Sequence, residues 1–402
     1  MKLTTYVTNK EAELKEASTF RTFKENVKRR YDYRSDADID YARIIYSSAF
    51  RRLQGKMQLF IPDNVNFYRN RLTHSMEVAQ IACCIARKVG LKDLTTVRSC
   101  SLAHDLGNPP FGHAGEVVLD NLIEKFPYEG NAQTFRILDH IEEKHHNHNG
   151  LNLTLRTLLG VVKYPNPKSK NPKKYLYDRD FKLIDDYSKS KKISFRTIDC
   201  EIMDLADEIA YAAHDLEDAL RLKYFTIDDL IYEFEINKEY VEALDSFKEI
   251  VKKSKKYGRK SETYKTSEEY SILFKKELTS RIVDILIKDI GLIKSSEGKE
   301  TLGFCNLEKL ANGLKILTFN SIKRNPDIYR YELMGGKVIR NLFEVYMDKD
   351  FNKDLKLLPA EYRDFDNREQ TILDYIGGMM DSYAIHQYNL YFGKGSSRKL
   401  YK

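Results

Sequence analysis

The sequence predicts a mainly α-helical protein, and three observations carry that expectation. Apolar residues recur at three- and four-residue steps through most of the chain, for example Ile39, Ala42, Ile45, Ala49 and Leu53, which is the period of one helix face. Strand-like alternation is scarce; Gln58 to Asn66, around Pro62-Asp63-Asn64, reads as a short hairpin or loop. No Gly-rich phosphate loop of the kind that joins a strand to a helix is present. Of 402 residues, 42% are hydrophobic and 32% charged, enough for one large core or two smaller ones.

Taken in order, residues 1 to 35 are polar and rich in charge. Asp38 or Asp40 is expected to cap the first clear helix, and Gly55 to weaken its end. Thr73 reads as the cap of the next helix, whose stripe is Met76, Ala79, Cys83, Ala86 and Val89 and whose stop is Gly90. A further helix begins near Asp93 and carries Val97, Cys100 and Ala103 toward His104-Asp105. Ala132 to Glu143 and Leu151 to Val162 read as helices. His140, His145, His146 and His148 stand among Asn and Gly, which suits a solvated loop better than a metal site. Tyr164 to Lys192, rich in Pro, Lys, Tyr and Asp, reads as a long loop or insertion. Ile198 to Leu222 is helical. Residues 225 to 300 read as helical and strongly charged, with Lys252 to Lys265 a solvated face. Leu307 to Phe319, Gly336 to Asp348 and Tyr375 to Phe392 follow with helical spacing, and 393 to 402 form a basic tail expected to be mobile.

The net charge of +7, from 67 basic and 60 acidic residues, is compatible with an anionic ligand without demanding nucleic acid. Five cysteines without C-x-x-C spacing suit reduced core positions rather than disulfides or zinc. No apolar run reaches membrane-spanning length and no signal-peptide pattern stands at the N-terminus, so a cytoplasmic protein is expected.

The chemistry gathers at Ser101 to Glu116. His104 and Asp105 end an apolar helix, and Gly107-Asn108-Pro109-Pro110 forces a turn directly after them. Imidazole and carboxylate together suit a borderline divalent cation. Two donors rarely hold such an ion, and His74, in the first turn of the preceding helix, meets His104-Asp105 if the two helices pack antiparallel. His113 and Glu116 are three apart, on one face of a helix. An imidazole oriented by a carboxylate is the usual form of a general acid or base. Asp207, Tyr211 and Asp215 are spaced by four on an apolar helix. A buried Asp207 needs a counter-charge, either a metal or a salt bridge.

Longer phrases resemble a known family. Arg51-Arg52-Leu53-Gln54 through Gln58, Asn70 to Ser75, Ala103 to His113, Glu129 to Gln133 and Ala206 to Tyr211 resemble the bacterial deoxyguanosine triphosphate triphosphohydrolases of the HD-domain superfamily. Asp374 to Met379 and Asp381-x-Tyr383-Ala384 resemble that family's C-terminal helix. The likeness runs from about Arg30 to Tyr391. Residues 164–192 and 228–300 carry little of it.

The resemblance implies an HD-domain helical bundle with additional C-terminal helices and at most a small β-hairpin. It implies one unit over residues 1–402, with the metal-binding core at about 40–225 and a helical C-terminal region at about 226–392. It implies one divalent ion on His74, His104, Asp105 and Asp207, either manganese or magnesium, with iron, cobalt or nickel as alternatives. It further implies that His113, oriented by Glu116, moves the proton while water attacks the α-phosphorus of dGTP or another dNTP, releasing deoxynucleoside and inorganic triphosphate. Arg71 and Lys163 would contact phosphates, Gln58 the 3′-hydroxyl, and Tyr211 with Asp215 the sugar floor. Other HD triphosphohydrolases carry a His where Asn108 stands, so Asn108 receives no proton-transfer role. The implied partners are the nucleotide, further copies in a dimer-based assembly up to a hexamer, and a dNTP or single-stranded DNA effector. Two rivals remain at this point. One is a phosphodiesterase or ppGpp-type hydrolase on the same scaffold; the other is a regulatory nucleotide or DNA sensor.

Overall fold

The computed structural model describes residues 2–24, 33–59, 69–143, 146–260, 262–263, 265–295, 298–363 and 367–393. They form a mainly α-helical protein whose one sheet, among these residues, is a two-stranded antiparallel hairpin. Among the described residues no helix is long and apolar enough to cross a membrane.

Helix starts follow local capping chemistry. Ser35, three residues ahead of the aspartate expected there, caps Asp36–Tyr46 and forms a reciprocal box with Asp38. Asp40 is not a cap. It is fully buried and accepts from the Thr154 amide and from the Thr154 and Thr157 hydroxyls. The His74 helix runs Arg71–Val89. Asn70 caps it, and Thr73 serves as the third residue of the capping box rather than as the cap. The helix stops at Gly90, whose φ of +87° is the left-handed conformation that favours glycine. Of the expected stripe Met76 is exposed, while Ala79, Cys83, Ala86 and Val89 are buried, joined by Ser75, Val78, Ala82 and Ile85. Asp93 caps Leu94–Ala103 through the Thr96 amide at 3.0 Å, and His104 follows as the last residue of that turn.

Several expectations are corrected. The polar N-terminal stretch contains a helix, Leu3–Glu13, anchored by buried Tyr6 and Val7; two inward residues suffice where the Tyr6 hydroxyl reaches Glu201 at 2.9 Å. Leu151–Val162 is helical only over Leu155–Gly160, since Thr154 caps it. Residues 164–192 are not all loop: Asp178–Lys191 is a helix that seats Ile184 in the core. The stretch read as helical to residue 300 ends in a hairpin, Ile290–Lys294 paired with Glu300–Phe304. Here Gly291 faces Gly303, and the Leu302 amide donates to Glu201 at 3.0 Å. The last expected helix is two, Arg368–Gly377 and Asp381–Phe392. At the break, a Cβ on Gly377 would lie 2.4 Å from the Tyr128 hydroxyl. The hairpin expected within Gln58 to Asn66 falls largely on residues 60–68, and the basic tail on 394–402; both lie outside the described residues.

Two apolar clusters make the interior. The larger joins Ile81, Ile85 and Leu106 to Leu159, Ile202, Ile209 and, further on, Phe247 and Leu314. The smaller joins Phe111, Leu119 and Tyr128 to Ile339, Leu342, Tyr346, Ile372 and Ile376. The turn that follows His104-Asp105 therefore packs against C-terminal helices, while the helices bearing His74, His104 and Asp207 pack in the larger cluster.

Candidate metal centre and active site

His74, at the start of one helix, and His104, at the end of the next, have ring centroids 5.7 Å apart. The antiparallel meeting of helix ends inferred from sequence is thus present. One donor atom from each of His74, His104 and Asp105 lies within 4.8 Å of the others. Asp207 comes from Ile198–Ala210, and its Oδ1 lies 3.0 Å from His74 Nε2 and 3.4 Å from His104 Nε2. All four residues are buried.

The surroundings orient each donor. His104 Nδ1 lies 2.7 Å from the Ser101 carbonyl, which can only accept, so Nδ1 carries a proton and Nε2 is left to face Asp105 and Asp207, which raise this imidazole against the effect of burial. That Nε2 is buried and has no hydrogen-bond partner among the described residues, an open valence in the middle of three carboxylate and imidazole neighbours. Arg71 donates to Asp105 Oδ2 at 2.7 Å and Asn108 to Asp105 Oδ1 at 2.7 Å. Lys163 donates to Asp207 Oδ2. Burial alone would raise the carboxyls. His104 and Arg71 reverse this for Asp105, holding it near 2, and Lys163 with His104 hold Asp207 well below the usual range. Burial pushes His74 down, toward the neutral form that ligates metals. Two ionised carboxylates and two imidazoles with an orphaned nitrogen fit a divalent cation.

The helix of Asp207 does not continue as expected. Tyr211–Asp215 is a π-helical turn before Leu216–Arg221 resumes. Wide turns of this kind re-aim side chains and recur at functional sites. Tyr211 lies against His74, with centroids 5.1 Å apart, and carries Lys315 over its ring at 5.5 Å. Burial, with repulsion from Asp218, pushes the Asp215 carboxyl well up.

Beside this cluster is a cavity of about 330 Å³ lined by Gln58, Arg71, His113, Tyr211 and Asp215, with Met57, Phe111, Lys315, Phe319, Lys323 and Glu332 among the rest of its wall. Gln58 Oε1, Arg71 Nε and Asp215 Oδ1 are buried there without a partner among the described residues. Native interiors leave few such groups unpaired. His113 Nδ1 lies 3.0 Å from Glu116 Oε2, and Glu116 Oε1 accepts from the Gly130 amide at 2.9 Å. The His113 side chain is 69% exposed, so water reaches it. Burial would raise Glu116, but His113, Lys174 and that amide hold it low and ionised. Glu116 stands behind His113 rather than on the cavity wall. Lys163 is likewise off the wall, held by Asp207 and, at 3.5 Å, by Asp204.

Sequence reasoning missed the far wall. Lys323 pairs with Glu332, and its ammonium sits 5.2 Å from the Phe319 ring. These residues come from Glu308–Lys323 and Pro326–Met347, where charged side chains on amphipathic helices gave no sign of facing a cavity. Asn108, given no proton-transfer role from sequence, holds Asp105 in a contact visible only in three dimensions. Among the described residues, the histidines of 140–148 stay outside the donor cluster; His148 stacks on Phe23 at 4.7 Å.

A helical fold with a His, His-Asp and Asp donor set defines the class, an HD-domain protein. Residues 71–190 match the HD domain family model, and residues 306–390 match a phosphohydrolase-associated domain. The chain is 51% identical to deoxyguanosinetriphosphate triphosphohydrolase-like protein 2 of Vibrio cholerae, over 92% of this chain and 91% of that protein. It is 33% identical to the deoxyguanosinetriphosphate triphosphohydrolase-like protein of Geobacter sulfurreducens, over 90% and 89%. With that of Wolinella succinogenes the figure is 32%, over 89% and 95%. The chain belongs to the deoxyguanosinetriphosphate triphosphohydrolase-like family of HD-domain proteins, metal-dependent phosphohydrolases.

Proposed function

We propose that this protein hydrolyses dGTP to deoxyguanosine and inorganic triphosphate. The observation that carries the reading is the set of buried, unpaired polar atoms on Gln58, Arg71 and Asp215, which face one cavity beside the metal-type donor cluster. An acceptor, a cationic donor and a carboxyl are the groups that a sugar hydroxyl and a phosphate need.

His74, His104, Asp105 and Asp207 would hold one divalent ion, manganese or magnesium, which when bound supplies Lewis-acid polarisation of a phosphate oxygen. Arg71 offers its free Nε to the phosphates while its other end stays on Asp105. Lys163 adds positive charge from behind Asp207. Gln58 Oε1 accepts from the 3′-hydroxyl. Asp215, kept protonated by burial, donates to the sugar edge. The Tyr211 ring, fixed between His74 and Lys315, forms the floor beneath C2′ and excludes a ribose 2′-hydroxyl. His113, oriented by Glu116, moves the proton from the attacking water to the departing 5′-oxygen. The oxygen of that water bonds to the α-phosphorus as the bond to the 5′-oxygen breaks.

The Lys323–Glu332 pair supports guanine. A carboxylate accepts from guanine N1–H and N2–H, an ammonium donates to O6, and Phe319 supplies an apolar face for the ring. The same reading makes the chain one working unit, with the metal-binding core at about 40–225 and the helical region at about 226–392. It places the protein in the cytoplasm as a dimer-based homo-oligomer, supported by Tyr329, Leu333 and Met334 exposed on one helix. A dNTP or single-stranded DNA serves as effector, for which the basic net charge is the support. The test is product analysis: free triphosphate supports the reading, while pyrophosphate or a monophosphate supports a phosphodiesterase or ppGpp-type hydrolase.

A further inference from the structure

Asp381 begins the helix Asp381–Phe392 and is 2% exposed. Its Oδ2 accepts from the Met57 amide at 2.9 Å, and its Oδ1 accepts from the Phe111 amide at 3.0 Å. The Tyr331 hydroxyl reaches Oδ2 at 3.4 Å. Met57 and Phe111 both line the cavity, next to Gln58 and next to Gly112-His113 respectively. One carboxylate thus joins two walls that are remote in sequence, and Asp381 itself is not on the wall.

The Phe111 wall requires such a hold. Phe111 has a φ of +62°, a left-handed conformation that is unfavourable for a bulky residue, and its backbone opens the helix Gly112–Asp120 bearing His113 and Glu116. Phe111 is braced by Tyr331, with centroids 5.6 Å apart, and by Gly335, where a Cβ would lie 2.4 Å from the Phe111 ring. Lys56, before Met57, donates to the Asn108 carbonyl and to the Gly377 carbonyl at 2.9 Å. Lys56, itself tied to the Gly377 carbonyl, and Asp381 therefore hold the two ends of the turn from Asn108 to Phe111.

We propose that Asp381 is a positioning residue for the reaction, fixing Phe111, and with it His113, against the wall that presents Gln58. This rests on the functional reading above. Displacing a reacting group by about 1 Å can cost about 10²-fold in rate. Asn in place of Asp keeps the size but has one acceptor, so it can hold one of the two amides and turns an N–H toward the other.

The test measures kcat, KM, metal content and melting temperature for Asp381→Asn, alone and combined with His113→Ala. Expected is a fall of about 10- to 100-fold in kcat, with KM and metal content within about twofold, and less than about twofold further loss in the His113→Ala background, because coupled residues are not additive. Gly335→Ala, which pushes Phe111 without touching Asp381, is the second probe should Asp381→Asn not fold, and the same non-additivity with His113→Ala is expected. An unchanged kcat, or an equal loss in both backgrounds, overturns the proposal. Absence of dNTP turnover in the unaltered protein overturns the functional reading and this inference together, whereas an active protein indifferent to both substitutions defeats the inference alone.

Discussion

His113 Nδ1 stands 3.0 Å from Glu116 Oε2, and the second oxygen of that carboxylate is fixed by the Gly130 amide at 2.9 Å. The imidazole is thereby fixed through Nδ1 at the cavity wall while remaining open to water. His113→Ala is expected to keep metal and nucleotide binding but lose about 10²–10⁴-fold in turnover. Glu116→Ala is expected to lose less, since it orients and does not exchange the proton. Near-normal turnover by the His113 variant in a steady-state assay would remove it from the proton path.

Asp207 reaches both imidazoles and is neutralised from behind by Lys163. His74→Ala, His104→Ala, Asp105→Ala and Asp207→Ala are each expected to lose bound metal and activity together, as read by elemental analysis of the purified proteins. Full metal content in Asp207→Ala would place that carboxylate outside the coordination shell. Lys163→Met is expected to destabilise the metal-free fold, because it leaves the buried Asp207 carboxylate without its cation; an unchanged melting temperature of the metal-free protein would count against that pairing.

Asp180 carries a pH dependence of its own. It is 1% exposed, both its oxygens lack partners among the described residues, and burial, with Asp139 beside it, pushes its carboxyl up to about 7. A raised carboxyl binds its proton more tightly in the folded state, so stability is highest below the unfolded value near 4 and falls as pH rises toward 7. The loss is at most about 4 kcal/mol by linkage. Asp180→Asn, neutral throughout, is expected to flatten the decline in denaturant midpoint between pH 5 and pH 8. Parallel pH profiles for the two proteins would show that Asp180 is ionised and compensated.

The Lys323–Glu332 pair is expected to set base preference. Glu332→Gln is expected to lower kcat/KM for dGTP relative to dATP by about tenfold or more, since a site built to hydrogen-bond a group rejects the analogue without it. dITP, which lacks the 2-amino group, is expected to fall between them in the unaltered protein. Equal rates on all four dNTPs would defeat the preference and leave the reaction class standing.

How far the sequence carried can be judged from particular residues. His74, His104 and Asp105 were legible because caps and glycines marked the helix ends, and antiparallel packing was the simple way to join them. Gly90 and Asp93 did that work. Tyr211 and Asp215 were legible as residues but not in their backbone, since a π-turn leaves no mark in an apolar pattern of period near 3.6. The hairpin 290–304 was hidden because its five-residue strands follow a 23-residue helix, Ser267–Asp289, without a break in composition. Lys323 and Glu332 were illegible as cavity residues. Their placement is tertiary, and a charged residue on an amphipathic helix looks the same whether it faces a cavity or water.

The central claim is cleavage at the bond between the α-phosphorus and the 5′-oxygen. Its most direct measurement is phosphorus NMR of dGTP turnover in 18O-enriched water, where attack at phosphorus puts the label on the triphosphate, with manganese removed by chelation before detection, run alongside GTP and with magnesium as the alternative ion. Inorganic triphosphate as the phosphorus-containing product, with no dGMP formed and with GTP turned over far more slowly, is the predicted result. Comparable rates on GTP would defeat only the role given to Tyr211, whereas pyrophosphate with dGMP would contradict the central claim.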